Sequence, residues 1–146
     1  MTIEDRRGAA YHEAGHIVVA WALGLSIDAT VIGIDGDDAK GETSIADDKP
    51  LPLIDRIAVC AAGLEAQSVF HAPTHDYAAM MDEAKIIELT EHLDEKSRLA
   101  RRNVGYQRAH ELIVAHAVKV DRIAKNLLAN GSLNQHEIYD LLWNAR

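Results

Sequence analysis

Ala10-Tyr11-His12-Glu13-Ala14-Gly15-His16-Ile17-Val18-Val19-Ala20-Trp21-Ala22-Leu23 is the stretch on which the reading of this chain turns. It contains no proline, and the pattern predicts one helix over residues 3–24, stopped at Gly24. On a helix, residues four apart share a face. His12 and His16 therefore present two imidazoles to one point, and Glu13 stands about a quarter-turn round from His12. This is the HExxH arrangement: two helical histidines as metal ligands and a glutamate placed to act as base on a metal-bound water. The bland alternative is a chance pattern in a chain with 8 His and 23 acidic residues, with His12 merely buried and Glu13 in solvent. Two flanking features weigh against it. Gly15 costs a helix about 1 kcal/mol relative to Ala, which implies close approach of another element behind the site. The apolar run Ile17–Leu23 makes the second histidine the opening of a buried helix.

Outward from that helix, 146 residues are enough for one domain with a sizeable core. Apolar content of 48% and charged content of 26% are those of a soluble globular protein. No apolar run approaches the ~20 residues of a membrane span, and Met1–Arg7 lacks a signal-peptide layout. The expectation is a cytoplasmic protein without a membrane span. Cys60 is the only cysteine, so no internal disulfide can form; its apolar neighbours indicate a packed thiol. A net charge of −8 argues against nucleic acid as a partner.

The remaining elements follow from periodicity and punctuation. Asp28–Ile34 reads as a strand, Asp35–Gly41 as a turn, and Glu42–Ala46 as a short second strand, together a hairpin. Gly36, Gly41 and Thr43 mimic the spacing of a phosphate-binding loop. Glu42, however, occupies the lysine position, and Asp35, Asp37 and Asp38 would repel phosphate, so the segment is an acidic turn. Pro50 and Pro52 precede a helix over about 52–70. Another begins near Asp76, and helical patterning runs to Ala129 with one joint near Leu93-Asp94-Glu95. Asn130-Gly131 ends it, and Ser132 or Asn134 caps a last helix reaching Trp143. The fold class is mainly α (α+β), with Leu112, Ile113, Val118, Ile123 and Leu127 expected to pack beside the motif helix.

A catalytic zinc site needs a third protein ligand and an open position for water. The longer HExxHxxGxxH pattern fails at Val19 and Ala22, and no glutamate follows His16 before Glu42. Asp47 and Asp48 fall in an apparent loop. His71, His75, Asp76 and Asp82 remain, with Asp76 favoured because a carboxylate suits a helix start; that same position makes a plain N-cap the competing account.

The chain resembles the peptidase domain of the FtsH family of ATP-dependent zinc proteases. Ala10–Ala20 is similar to that family's motif helix, Ala29–Ile32 with Gly41-Glu42-Thr43 to its hairpin, and Leu53–Gly63 to its next helix. Thr74-His75-Asp76 followed by Ala84 is similar to the segment bearing its aspartate ligand, and Leu127–Ile138 to its closing segment. The resemblance implies zinc as cofactor, His12, His16 and Asp76 as ligands, and Glu13 as general base. It also implies Gly41, Glu42 and Thr43 as an edge strand holding an extended peptide, with unfolded proteins or peptides as substrates. A separate ATPase as partner and a homo-oligomer, a hexamer in that family, are further implications. The chain departs from the family in lacking transmembrane segments and an ATPase module. It is also shorter before Leu53 and has Gln67 and Ser68 where two glutamates are common. The rival expectation is a non-catalytic zinc-binding or regulatory module on the same fold. Glu13, which need not bind metal, favours the enzyme.

Overall fold

The computed structural model describes residues 3–35, 38–74 and 76–144. The elements are α1 (Ile3–Ala22), β1 (Ile27–Asp35), β2 (Asp38–Ile45), α2 (Leu53–Val69), α3 (Asp76–Thr90), α4 (Glu95–Ala115), α5 (Ala117–Asn130), β3 (Ser132–Leu133) and α6 (Gln135–Trp143). The architecture is mainly helical with one small antiparallel sheet of order β2-β1-β3. Among the described residues, no helix is long and apolar enough to cross a membrane.

α1 is the axis of the fold. Gly8 to Gly15 and Ile17 to Ala20 are all buried, so the helix has no solvent face over its middle. α2 and α5 pack on it, the sheet covers part of it, and α4 backs α2 from the far side. The α1–α2 approach is close because the α2 surface is small: Ala58, Ala61, Ala62, Gly63 and Ala66 are all buried. Gly15 lies at this crossing. A Cβ there would stand 2.5 Å from the Ala62 carbonyl oxygen and 2.6 Å from Ala66 Cβ, which is the close approach its place in the motif implies. Apolar burial of this kind, at ~25 cal/mol per Å², is the main force holding α1 in place.

The helix ends follow local chemistry. Gly24, at φ 89°, closes α1 in a Schellman turn, with Leu25 N–H donating to the Ala20 carbonyl and Gly24 N–H to that of Trp21. Asp94 caps α4 through Ser97 N–H. Asn134, of the two candidates, caps α6, in a reciprocal capping box with Glu137. Gly131 ends α5 at φ 80°.

Three features differ from the sequence expectation. The hairpin's second strand is longer, Asp38–Ile45, while its tip at Gly36 and Asp37 lies outside the described residues. A third strand, Ser132–Leu133, pairs with β1 at Val31 and Thr30; two residues are too few to show a period. The helical run after residue 95 is broken at His116, whose φ of −115° and ψ of 27° end α4 and start α5. The break re-aims the chain from α2 towards α1 and resets which residues face inward. Ile113, Ile123 and Leu127 are fully buried and Leu112 partly so, but Val118, expected in the core, is 71% exposed.

Candidate metal centre

His12 and His16 are carried by the buried middle of α1, and each ring is held by a bond at Nδ1. His12 Nδ1–H donates to Gln67 Oε1 at 2.7 Å, and His16 Nδ1–H to the Val59 carbonyl at 2.7 Å. Both acceptors belong to α2. A neutral imidazole that donates through Nδ1 keeps its lone pair on Nε2, so α2 orients both rings with Nε2 turned to the same point. The His12 ring lies flat against α2 at Gly63, where a Cβ would fall 2.5 Å from Nε2 and 2.6 Å from Nδ1. No other residue leaves room for the ring.

The two Nε2 atoms stand 3.1 Å apart, and Asp82 Oδ2 stands 2.9 Å from that of His12 and 3.2 Å from that of His16. Among the described residues this is the one group of three or more metal-ligating side chains. Tetrahedral zinc with bonds of 2.0–2.2 Å sets its donors about 3.3–3.5 Å apart, so the three atoms fit one ion after opening by a few tenths of an ångström. Atoms this close are compatible either with a proton shared between an imidazole and Asp82 or with a metal cation among them. Burial acts to lower the His16 pKa, but the hydrogen bond and charge of Asp82, with Glu13 behind, outweigh it and raise the value to about 9. Burial acts to raise the Asp82 pKa, and the bonds and charges of the two imidazoles hold it far below the ordinary range instead.

Asp82 was one of four candidates in the sequence, beside the favoured Asp76. It lies six residues further along α3, about 9 Å of helix rise. The side chains of Asp76 and His75 lie outside the described residues. His71 is exposed at φ 52°, its carbonyl accepting from Arg7, and is not part of the cluster. The placement of Asp82 beside the two imidazoles follows from tertiary packing. α3 rests on α2, which also supports both histidines, and the burial of Ile86 and Thr90 against exposed Met80 and Ile87 shows which side turns inward.

The cluster opens into a cleft of about 680 Å³, walled by α1, β2 with the segment after it, α2 and α3. Glu13 lines the same cleft and is only 6% exposed. Thr43 Oγ1 donates to Glu13 Oε1 at 2.7 Å. That commits the single Thr43 proton, so the 3.0 Å contact between the Thr30 and Thr43 hydroxyls has Thr30 as donor. Thr30 is the cross-strand partner of Thr43, and the sheet thus aims the carboxylate through a two-hydroxyl relay. Gly41 completes the seat: a Cβ there would lie 2.6 Å from Glu13 Oε2. Of the expected edge-strand residues, Thr43 bonds the carboxylate, Gly41 leaves the space it occupies, and Glu42 is exposed along the cleft. β2 is an edge of the sheet, with β1 on its other side.

Cys60 is buried in the cleft wall, and burial pushes its thiol up to about 12, so it is a packed thiol with no nucleophilic character at neutral pH. The remaining histidines stand apart: His110 meets Glu65, His116 stacks edge-on with Trp21 at 5.4 Å, and His92 and His136 are exposed. Ser68 is exposed, whereas Gln67 is buried and engaged with His12. Compared with known proteins, the chain matches no protein-family model and has no significant match among curated proteins.

Proposed function

We propose that the protein is a zinc-dependent peptidase, with His12, His16 and Asp82 holding the metal and Glu13 acting as general base. The observation that carries this reading is the separation of roles among buried acids. Asp82 meets the two Nε2 atoms, while Glu13, next to His12 in sequence, is held away from them by Thr43 and Gly41 yet lines the same cleft. A purely structural metal site is closed by four protein ligands, whereas a catalytic one keeps a position open to its cleft.

Zinc, when bound, supplies Lewis-acid polarisation of the scissile carbonyl and lowers the pKa of a water towards ~7. The chain's own residues supply the rest. Glu13 accepts one proton from the attacking water as the water oxygen bonds to the carbonyl carbon. It returns that proton to the amide nitrogen as the C–N bond breaks, so it ends the cycle as it began. Thr43 keeps Oε1 occupied, which leaves Oε2 as the proton-carrying oxygen. The free edge of β2 offers backbone groups for an extended peptide laid along the cleft. A cleft of this size suits a short stretch of chain, which fits peptides or unfolded proteins as substrates. A separate ATPase that delivers unfolded chains, and a ring-forming homo-oligomer, belong to the same proposal through the FtsH-like motifs, as does a cytoplasmic setting.

The test is zinc content and casein cleavage by the parent and by Asp82→Ala, Asp76→Ala and Glu13→Gln. The expected result is about one zinc per chain, lost in Asp82→Ala and kept in the other two, with cleavage only by the parent and Asp76→Ala. Zinc lost in Asp76→Ala but kept in Asp82→Ala would move the third ligand to Asp76. Zinc without cleavage in the parent would favour a binding module, and no zinc would refute the metal site.

A further inference from the structure

Gln67 is 1% exposed, and both ends of its carboxamide are committed. Oε1 accepts from His12 Nδ1 at 2.7 Å, and Nε2 donates to the Pro73 carbonyl at 2.7 Å. Pro73 lies in the connection from α2 to α3, the helix that bears Asp82. Its carbonyl is also crowded from the α1 side, where a Cβ on Gly8 would collide with it. The carbonyl is thus closed off on that side, and the Gln67 amide supplies its donor.

We infer that Gln67 is a positioning residue that has to be an amide, because it joins the ligand His12 and the connection leading to Asp82 into one unit. A carboxylate would be the stronger acceptor for His12, and support of a metal-bound histidine by a carboxylate ordinarily strengthens a site. Here it would fail on its other side. Its second oxygen would face the Pro73 oxygen at hydrogen-bond distance with lone pairs opposed. A carboxylic acid could donate to Pro73 only by keeping its proton well above the usual value of about 4.3. The amide alone accepts towards α1 and donates towards the connection. Metal affinity and order in residues 70–74 are then linked, each strengthening the other.

The metal half of this inference rests on the proposed zinc role of His12; the bridge itself rests on the two hydrogen bonds. The test compares the parent, Gln67→Glu and Gln67→Met. Zinc affinity is read by chelator competition, the cobalt-substituted site by its visible spectrum, and the metal-free proteins by amide hydrogen exchange. The expected result for Gln67→Glu is at least about tenfold weaker zinc binding and an altered cobalt spectrum. Faster exchange is expected across 70–74, with α4 and α5 unchanged. Gln67→Met should lose more on both readouts; should it fail to fold, the near-isosteric Gln67→Glu decides alone. Zinc binding by Gln67→Glu as tight as the parent's, or unchanged exchange across 70–74, would overturn the inference. A parent that binds no zinc would instead remove the proposed function, and the exchange comparison would still decide whether the bridge exists.

Discussion

Replacing Gly41 by alanine should separate base placement from metal binding. The new Cβ would lie 2.6 Å from Glu13 Oε2 and 2.8 Å from Cδ, whereas ordinary contact begins near 3.4 Å. The strand is paired with β1 through Ile32 and cannot easily withdraw, and the carboxylate is the free end of a side chain. Glu13 therefore yields, by about 0.8 Å at Oε2, and its bond from Thr43 is strained. A misplacement near 1 Å of a reacting group costs on the order of 100-fold in rate, about 2.7 kcal/mol in barrier height. The three atoms nearest the new methyl all belong to Glu13, so zinc should be kept. The assay is steady-state cleavage of a fluorogenic casein peptide beside zinc content and thermal unfolding. A kcat lowered about 100-fold, with one zinc retained and Tm within a few degrees, is the expected outcome. Full kcat would show that Glu13 is not the base or that its seat is loose. Loss of zinc would show that Gly41 supports the ligands instead, contrary to the geometry.

Thr43→Val keeps the shape of the strand and removes the donor to Glu13 Oε1. About 1.4 kcal/mol for that bond predicts a kcat lowered about tenfold, measured on the same peptide with KM little changed. Gly63→Ala puts a methyl on the His12 ring, and chelator competition should show zinc affinity reduced 10- to 100-fold. The metal-free protein should lose stability in base. The His16 pKa is raised from 6.5 to about 9, so its contribution is complete below pH 6.5 and disappears as pH rises to about 9. The Asp82 pKa is lowered, so its contribution is present above its ordinary 3.8 and disappears on acidification. Melting in EDTA should therefore be highest from about pH 4 to 6.5 and fall towards pH 9, and added zinc should restore the alkaline side; a flat profile would contradict the coupling of His16 to Asp82.

The sequence disclosed what is periodic or locally coded. α1 was legible because ligand spacing, Gly15 and the apolar run agree, and α2 because two prolines precede an unbroken apolar pattern. The α4/α5 joint was hidden because His116 is flanked by alanines, both good helix formers, with no Gly or Pro to mark it. Asp76 was favoured by helix-start chemistry, which is local, and by the FtsH-like segment around it, and its side chain lies outside the described residues. The position of Asp82 depends on how α3 lies on α2, which no spacing rule encodes. The seat of Glu13 was half visible: Gly41 and Thr43 were assigned to substrate, and their contact with the carboxylate emerges only once β2 is folded against α1. Gln67 stands where the FtsH family commonly has a glutamate, and its second bond, to a backbone carbonyl, has no mark in the sequence at all.

His16 and Asp82 are 66 residues apart in the chain, and the supports at Val59 and Gln67 lie between them. A growing chain that has made only α1 carries two donors and no scaffold to orient them. One that has made α2 still lacks the third donor. The three atoms meet only after long-range closure, the slow part of folding. A protein that cuts extended backbone would endanger its own unfolded copies and the nascent chains around it. For the peptidase proposed above, donors placed this far apart would make hydrolytic competence a late event, gained only by molecules that have already hidden their own cleavable segments.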